Sequence, residues 1–171
     1  FSYHINKIKH IYKLGHTIAL HAYSHNYKEL YSSIDAYLYD FKRIDNTVYD
    51  LIGIRSKLFR FPGGSGNTVS RKYCTGIMSE LSNLMAGKGY CYFDWNFDSR
   101  DWDLNISIED SYKKSLAPNG FNLDVLLLMH DTVEIKCLDI LERVILYYLR
   151  EGYEFDVVSE NTIKCRHEIA N

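Results

Sequence analysis

Val125-Leu126-Leu127-Leu128-Met129 is an uninterrupted apolar run followed directly by His130-Asp131, and no other feature of the chain constrains its fold as tightly. A strand that is apolar at every position has no face to turn to water, so it must lie in a sheet covered on both sides. Shorter runs repeat the arrangement. Thr17-Ile18-Ala19-Leu20 precedes His21; residues 54–61 carry Leu58-Phe59 ahead of Arg60 and stop at Pro62-Gly63-Gly64. Residues 90–97 precede an acidic stretch, and residues 155–158 read as the last strand.

Helix-period stripes lie between these runs. Ile5, Ile8, Ile11 and Leu14 recur ahead of Gly15. Ile34, Leu38, Phe41, Ile44, Val48 and Leu51 follow Ser33, with Asp45-Asn46 a potential kink. Ile77, Met78, Leu81, Leu84 and Met85 lead to Gly87 and Gly89, and residues 108–116 read as a short helix. In residues 138–150 the expected inner face is Leu141, Val144, Ile145, Tyr148 and Leu149, closed by Gly152. Each stripe has the period of an amphipathic helix, and glycine supplies the left-handed residue that ends one. Strand and helix in near-strict alternation define the α/β class with a parallel sheet or barrel, expected as one domain over residues 1–171. Active sites in such barrels form at the C-terminal strand ends, where His21, Arg60, residues 98–101 and His130 all fall.

Composition excludes some partners. A hydrophobic fraction of 46% and a charged fraction of 25% are those of an ordinary globular domain. The net charge of -2, with scattered Lys and Arg, argues against nucleic acid as a partner. No apolar run reaches the ~20 residues that span a bilayer. The chain begins with Phe1 inside an expected helix, so a leader or anchor ahead of it stays compatible with the sequence. Cys74, Cys91, Cys137 and Cys165 lack zinc-type Cys-x-x-Cys spacing, which leaves both two disulfides and buried thiols open. The 15 tyrosines suit sugar rings and equally suit half-buried strands and helices.

The polar residues at the strand ends carry the chemistry. His21 and His25, four apart, can ligate one divalent ion through neutral imidazole nitrogens, with a carboxylate as the usual third ligand. An isolated pair of this kind can also be a turn cap beside a surface residue. Arg60 can hold a carboxylate ionised, and the glycines after it let a backbone N–H approach a substrate as an oxyanion donor must. Standing alone, that segment would read as a strand-end turn with a solvated arginine. Residues 94–103 combine both tryptophans with Asp94, Asp98, Asp101 and Asp103, a group able to tune a histidine, pair with Arg60 or form a solvated loop. His130 suits a general acid near neutral pH, although a histidine ending an apolar strand is often only structural.

GHTIALHAYSH, LFRFPGGS, YFDWNFDSRDW and LLLMHDT, in this order, resemble the second to fifth motifs of the polysaccharide deacetylases, carbohydrate esterase family four or NodB-homology domain. The resemblance covers essentially the whole chain. It implies a distorted (β/α) barrel and metal-dependent removal of acetyl groups from a sugar polymer, most often from N-acetylglucosamine. The implied metal ligands are His21 and His25, with zinc the first choice and cobalt, nickel or manganese as alternatives. Arg60 matches the arginine that holds the catalytic carboxylate, Gly63 the oxyanion donor and Asp101 the partner of the site's charged groups. Trp95 and Leu128 match the lining of the acetyl pocket, and His130 the general acid. The implied partner is an acetylated polysaccharide or oligosaccharide, and the implied location of the full-length protein is extracellular or wall-associated. The family's first motif, Thr-Phe-Asp-Asp, brings the base and the third metal ligand; no Asp-Asp pair occurs in these residues. The expectation is an incomplete barrel that deacetylates feebly or not at all by itself. The alternatives are a sugar-binding remnant without turnover and an esterase acting on O-acetyl xylan.

Overall fold

The computed structural model describes residues 2–120, 123–131, 136–162 and 164–171, the side chains of residues 2–5 excepted, so the side chain of Ile5 in the first stripe lies outside the described residues. The chain forms two compact units, one of Phe1–Asp94 with Val157–Asn171, the other of Trp95–Asp156.

In the first unit, helix α1 (Ser2–Lys13) ends where Gly15 takes a φ of 92°, and it packs on α3 (Ile34–Ile52). The Ser33 side chain accepts the Ala36 N–H at the start of α3, and left-handed Gly53 ends it. These two caps set the helix bounds. Asp45-Asn46 lies within α3, which runs unbroken from Ile34 to Ile52, with Asp45 buried and ion-paired to Arg55. A single turn, α2 (Tyr27–Leu30), precedes α3, and α4 (Ile77–Gly87) follows it.

Strand β1 (Leu58–Phe59) pairs in parallel with β2 (Cys91–Tyr92), and Leu20 bridges Phe59 on its other side. The C-terminal segment continues this array, since the Asp94 N–H donates to the Cys165 carbonyl. Helices α3 and α4 cover the sheet with Tyr37, Phe41, Ile77, Met78, Leu81 and Met85. Three of the 15 tyrosines find their place here. Tyr31, Tyr37, Phe41, Phe59, Phe61 and Tyr92 form one ring cluster with centroids 4.9–6.1 Å apart.

The second unit pairs β3 (Phe97–Asp98) with β4 (Leu127–Leu128), again in parallel. Helix α5 (Ile108–Lys114) packs on α6 (Lys136–Arg150). Ala117, Ile140, Val144 and Tyr148 form its core against Phe97, Leu127 and Met129.

Three expectations need correction. The paired strands are shorter than the apolar runs, because a ladder extends only as far as a neighbour offers N–H and C=O groups in register. In the run of residues 125–129 Leu128 is buried and its neighbours are half-buried. Residues 155–158 form no strand; Phe155 and Val157 are exposed, and the Val158 carbonyl accepts from the Thr17 hydroxyl. The inner face of α6 is rotated from its expected position: Ile140, Val144 and Tyr148 are buried, while Leu141, Ile145 and Leu149 are exposed. Polar anchors set that rotation. The Tyr148 hydroxyl donates to the Ser115 carbonyl and accepts the Ala117 N–H, and the Tyr147 hydroxyl donates to the Ala117 carbonyl. All four cysteines are free thiols, which settles the choice left open by their spacing.

Candidate functional site

In the first unit the strand ends deliver His21 from Leu20 and Arg60 from Phe59. His21 Nδ1 lies 2.8 Å from the Arg60 carbonyl oxygen. A carbonyl can only accept, so Nδ1 carries the proton and the lone pair sits on Nε2, the atom a divalent ion binds. The ring of His25 lies 5.1 Å from that of His21, tilted by 55°. The segment joining them is not helical, and His25 has a φ of 53°. Two neighbouring imidazoles, one with its tautomer fixed by a backbone acceptor, are a donor set that fits zinc or a similar borderline ion. Among the described residues no group of three His, Cys, Asp or Glu side chains gathers for a metal.

Gly63 belongs to the same cluster. Its φ is 78°, and a Cβ there would lie 2.9 Å from the Tyr27 hydroxyl, so no larger residue fits. The turn is clamped from both ends. The Tyr31 hydroxyl donates to the Pro62 carbonyl at 2.7 Å. On the other side the buried Asp94 carboxylate accepts the Ser65 N–H, the Ser65 hydroxyl and the His167 N–H. Tyr27 meets the His25 ring edge-on at 5.5 Å. Burial pushes its phenol above the ordinary tyrosine range, against a smaller opposing pull from Arg60.

In the second unit Asp101 and His130 meet. Asp101, 3% exposed, accepts the His130 backbone N–H at 2.7 Å and lies 2.8 Å from its Nδ1. A carboxylate only accepts, so Nδ1 carries a proton and Nε2 faces away from Asp101. Ser99 and Ser111 hold the strand end beneath: the Ser99 hydroxyl donates to the Leu128 carbonyl and the Ser111 hydroxyl to the Ser99 carbonyl. Leu128 is buried on β4, and Trp95 is half-buried where the second unit begins. The acidic stretch is therefore no solvated loop, since Asp94 and Asp101 are both buried.

Sequence reasoning missed Asp40. It is 5% exposed on α3, and its two carboxylate oxygens accept the N–H groups of Tyr23 at 2.7 Å and Ser24 at 2.9 Å. Its signal was present: a carboxylate set between Tyr37 and Phe41 on the apolar face of a helix. Such a residue has to find buried donors.

Known proteins share this sequence and fold. The family model for polysaccharide deacetylase matches residues 2–76. The polysaccharide deacetylase homologue YheN of Bacillus subtilis (strain 168) is 29% identical over 94% of this chain, which spans 55% of that protein. The polysaccharide deacetylase Bc1974 of Bacillus cereus shares the fold with a TM-score of 0.71 at 22% identity, over 93% of this chain and 74% of that one. The catalytic domain of a peptidoglycan N-acetylglucosamine deacetylase from Eubacterium rectale ATCC 33656 superposes with a TM-score of 0.91 at 32% identity. That alignment covers 98% of this chain and 76% of the Eubacterium domain. With 32% identity to that deacetylase domain and its fold in common, the chain belongs to the polysaccharide deacetylase family, carbohydrate esterase family four.

Proposed function

We propose that this protein is a metal-dependent hydrolase that removes acetyl groups from an N-acetylglucosamine-containing polysaccharide, with peptidoglycan, chitin-like polymers and poly-N-acetylglucosamine as the candidate substrates. One observation carries the reading. His21 and His130 each have Nδ1 committed to a fixed acceptor at a strand end, which places the lone pair of the neutral ring on Nε2. The peptidoglycan specificity named for the Eubacterium rectale domain supports the substrate class. An extracellular or wall-associated protein would meet such polymers.

His21 and His25 would hold the ion, which when bound supplies Lewis-acid polarisation of the acetyl carbonyl. The backbone N–H at Gly63 would donate to the oxyanion that develops there. His130 would pass a proton from Nε2 to the departing amine, with Asp101 stabilising the imidazolium before transfer. Arg60 would keep the catalytic carboxylate ionised, and Trp95 and Leu128 would enclose the acetyl methyl. The 171 residues contain no Thr-Phe-Asp-Asp run, so slow turnover is the expected outcome for them alone.

Acetate release by the full-length protein from N-acetylglucosamine oligomers in the presence of zinc tests this. Replacing His130 by Ala should lower turnover by about 100-fold or more while bound zinc stays constant. Undiminished turnover would remove His130 as the acid. Oligosaccharide binding without acetate release would make this a sugar-binding domain, and preference for acetylated xylan would move the reaction to O-acetyl esters.

A further inference from the structure

Within a helix, hydrogen bonds would fix the distance between histidines four residues apart. His21 and His25 lie outside any helix, so something else must set their spacing. The two ends of the segment are secured: Leu20 bridges Phe59, His21 Nδ1 meets the Arg60 carbonyl, and Asn26 caps α2 through the Lys28 N–H. The middle is held from α3. One carboxylate oxygen of Asp40 accepts the Tyr23 N–H and the other accepts the Ser24 N–H, which fixes two successive peptide planes at once. Three residues further along the same helix Arg43 lies over the Tyr23 ring, 3.7 Å from its centroid. The platform itself is rigid, because Tyr37 and Phe41 on either side of Asp40 belong to the buried ring cluster.

We propose that Asp40 is a positioning residue for the metal pair: by locking the turn through Tyr23 and Ser24 it sets the separation of the two imidazoles, and with it their affinity for a divalent cation. The assignment rests on the reading of His21 and His25 as metal ligands. An asparagine at this position keeps one acceptor but turns an NH2 group toward the second backbone N–H. One peptide plane then swings out, and the ring beyond it loses its place. Groups that orient metal ligands from behind are worth about 10- to 100-fold in metal affinity, which fixes the expected scale.

Zinc chloride titrated into the 171-residue chain, followed through the 15N shifts of the histidine rings, tests the assignment. The wild type should bind through both imidazoles, and Asp40→Asn should bind about tenfold more weakly, with spectral changes confined to residues 21–26. Equal affinity in a folded variant would overturn the role of Asp40 alone. Should the variant fail to fold, hydrogen exchange of the metal-free wild type decides. The Tyr23 and Ser24 amides should be strongly protected although both residues are exposed, and exchange at the rate of an unfolded peptide would overturn the assignment. A wild type that takes up no zinc, or takes it as well as His21→Ala does, would overturn the metal reading itself and Asp40 with it.

Discussion

At the scale of single residues, buried carboxylates organise this chain more than its exposed charges do. Asp40, Asp94 and Asp101 are each about 5% exposed or less, and each accepts at least two hydrogen bonds, mostly from backbone N–H groups. A carboxylate taken out of water needs such donors, and the loops that supply them become fixed in return. The same carboxylates act on neighbouring thiols. Burial pushes the Cys165 thiol up, and the Asp94 charge adds to it; burial likewise raises Cys137, with Asp101 and Asp131 contributing. A raised thiol holds its proton to higher pH, so less reactive thiolate is present at any pH below that point. At pH 8 both cysteines should therefore alkylate more slowly in the native protein than in urea. Their rates should also level off at higher pH than in the unfolded chain. Site-resolved iodoacetamide labelling measures this, and equal native and unfolded rates would contradict it.

At the scale of elements, caps were legible and faces were not. Ser33, Gly15 and Gly152 mark helix ends as their local chemistry requires, since capping involves only a few neighbouring groups. The rotation of α6 was misread because its sequence offers more apolar positions than one face can bury. Hydrophobic period alone cannot choose among Ile140, Leu141, Val144, Ile145 and Leu149; Tyr147 and Tyr148, bonded to residues 115 and 117, make the choice. The two faces should respond differently to truncation. Ile140→Ala should cost about 2–5 kcal/mol, while Leu149→Ala, at a side chain 53% exposed, should stay within about 0.5 kcal/mol. Urea denaturation of both variants measures it, and similar losses would mean that the burial pattern of α6 is wrong.

At the scale of the whole molecule, the chain leaves its first unit at Asp94 and returns to it at Val157. Asp94 is where the return is fastened. Its N–H donates to the Cys165 carbonyl, and its carboxylate binds the His167 N–H together with Ser65 of the glycine turn. Glu168 and His167 press on Gly66 so closely that a Cβ there would lie 2.9 Å from each. Local sequence near Asp94 carries no sign of this, because the partners lie 29 and 73 residues away. Replacing Asp94 by Ala removes the acceptor of three donors, of which only the Ser65 hydroxyl keeps another in the His167 carbonyl, and should destabilise the first unit by on the order of 3 kcal/mol. Amide exchange should then quicken at Leu20 and Phe59, and an unchanged pattern would show that the fastening is dispensable.

The chain by itself determined the α/β class, the parallel sense of its strands and the residues at the strand ends, because alternating apolar runs and helix stripes admit few other arrangements. His21, Arg60 and His130 could be read as strand-end residues for the same reason, each following an apolar run; His25 was picked out by its spacing from His21, Gly63 by the glycine turn and Asp101 by the family resemblance. Tertiary structure alone decided the tautomers of His21 and His130, the clamps on both loops by Asp40 and Asp94, the rotation of α6 and the loss of the last strand. Those features depend on donors and acceptors that meet across tens of residues. Hydrogen bonds are directional and short, and no local pattern records where their distant partner will stand.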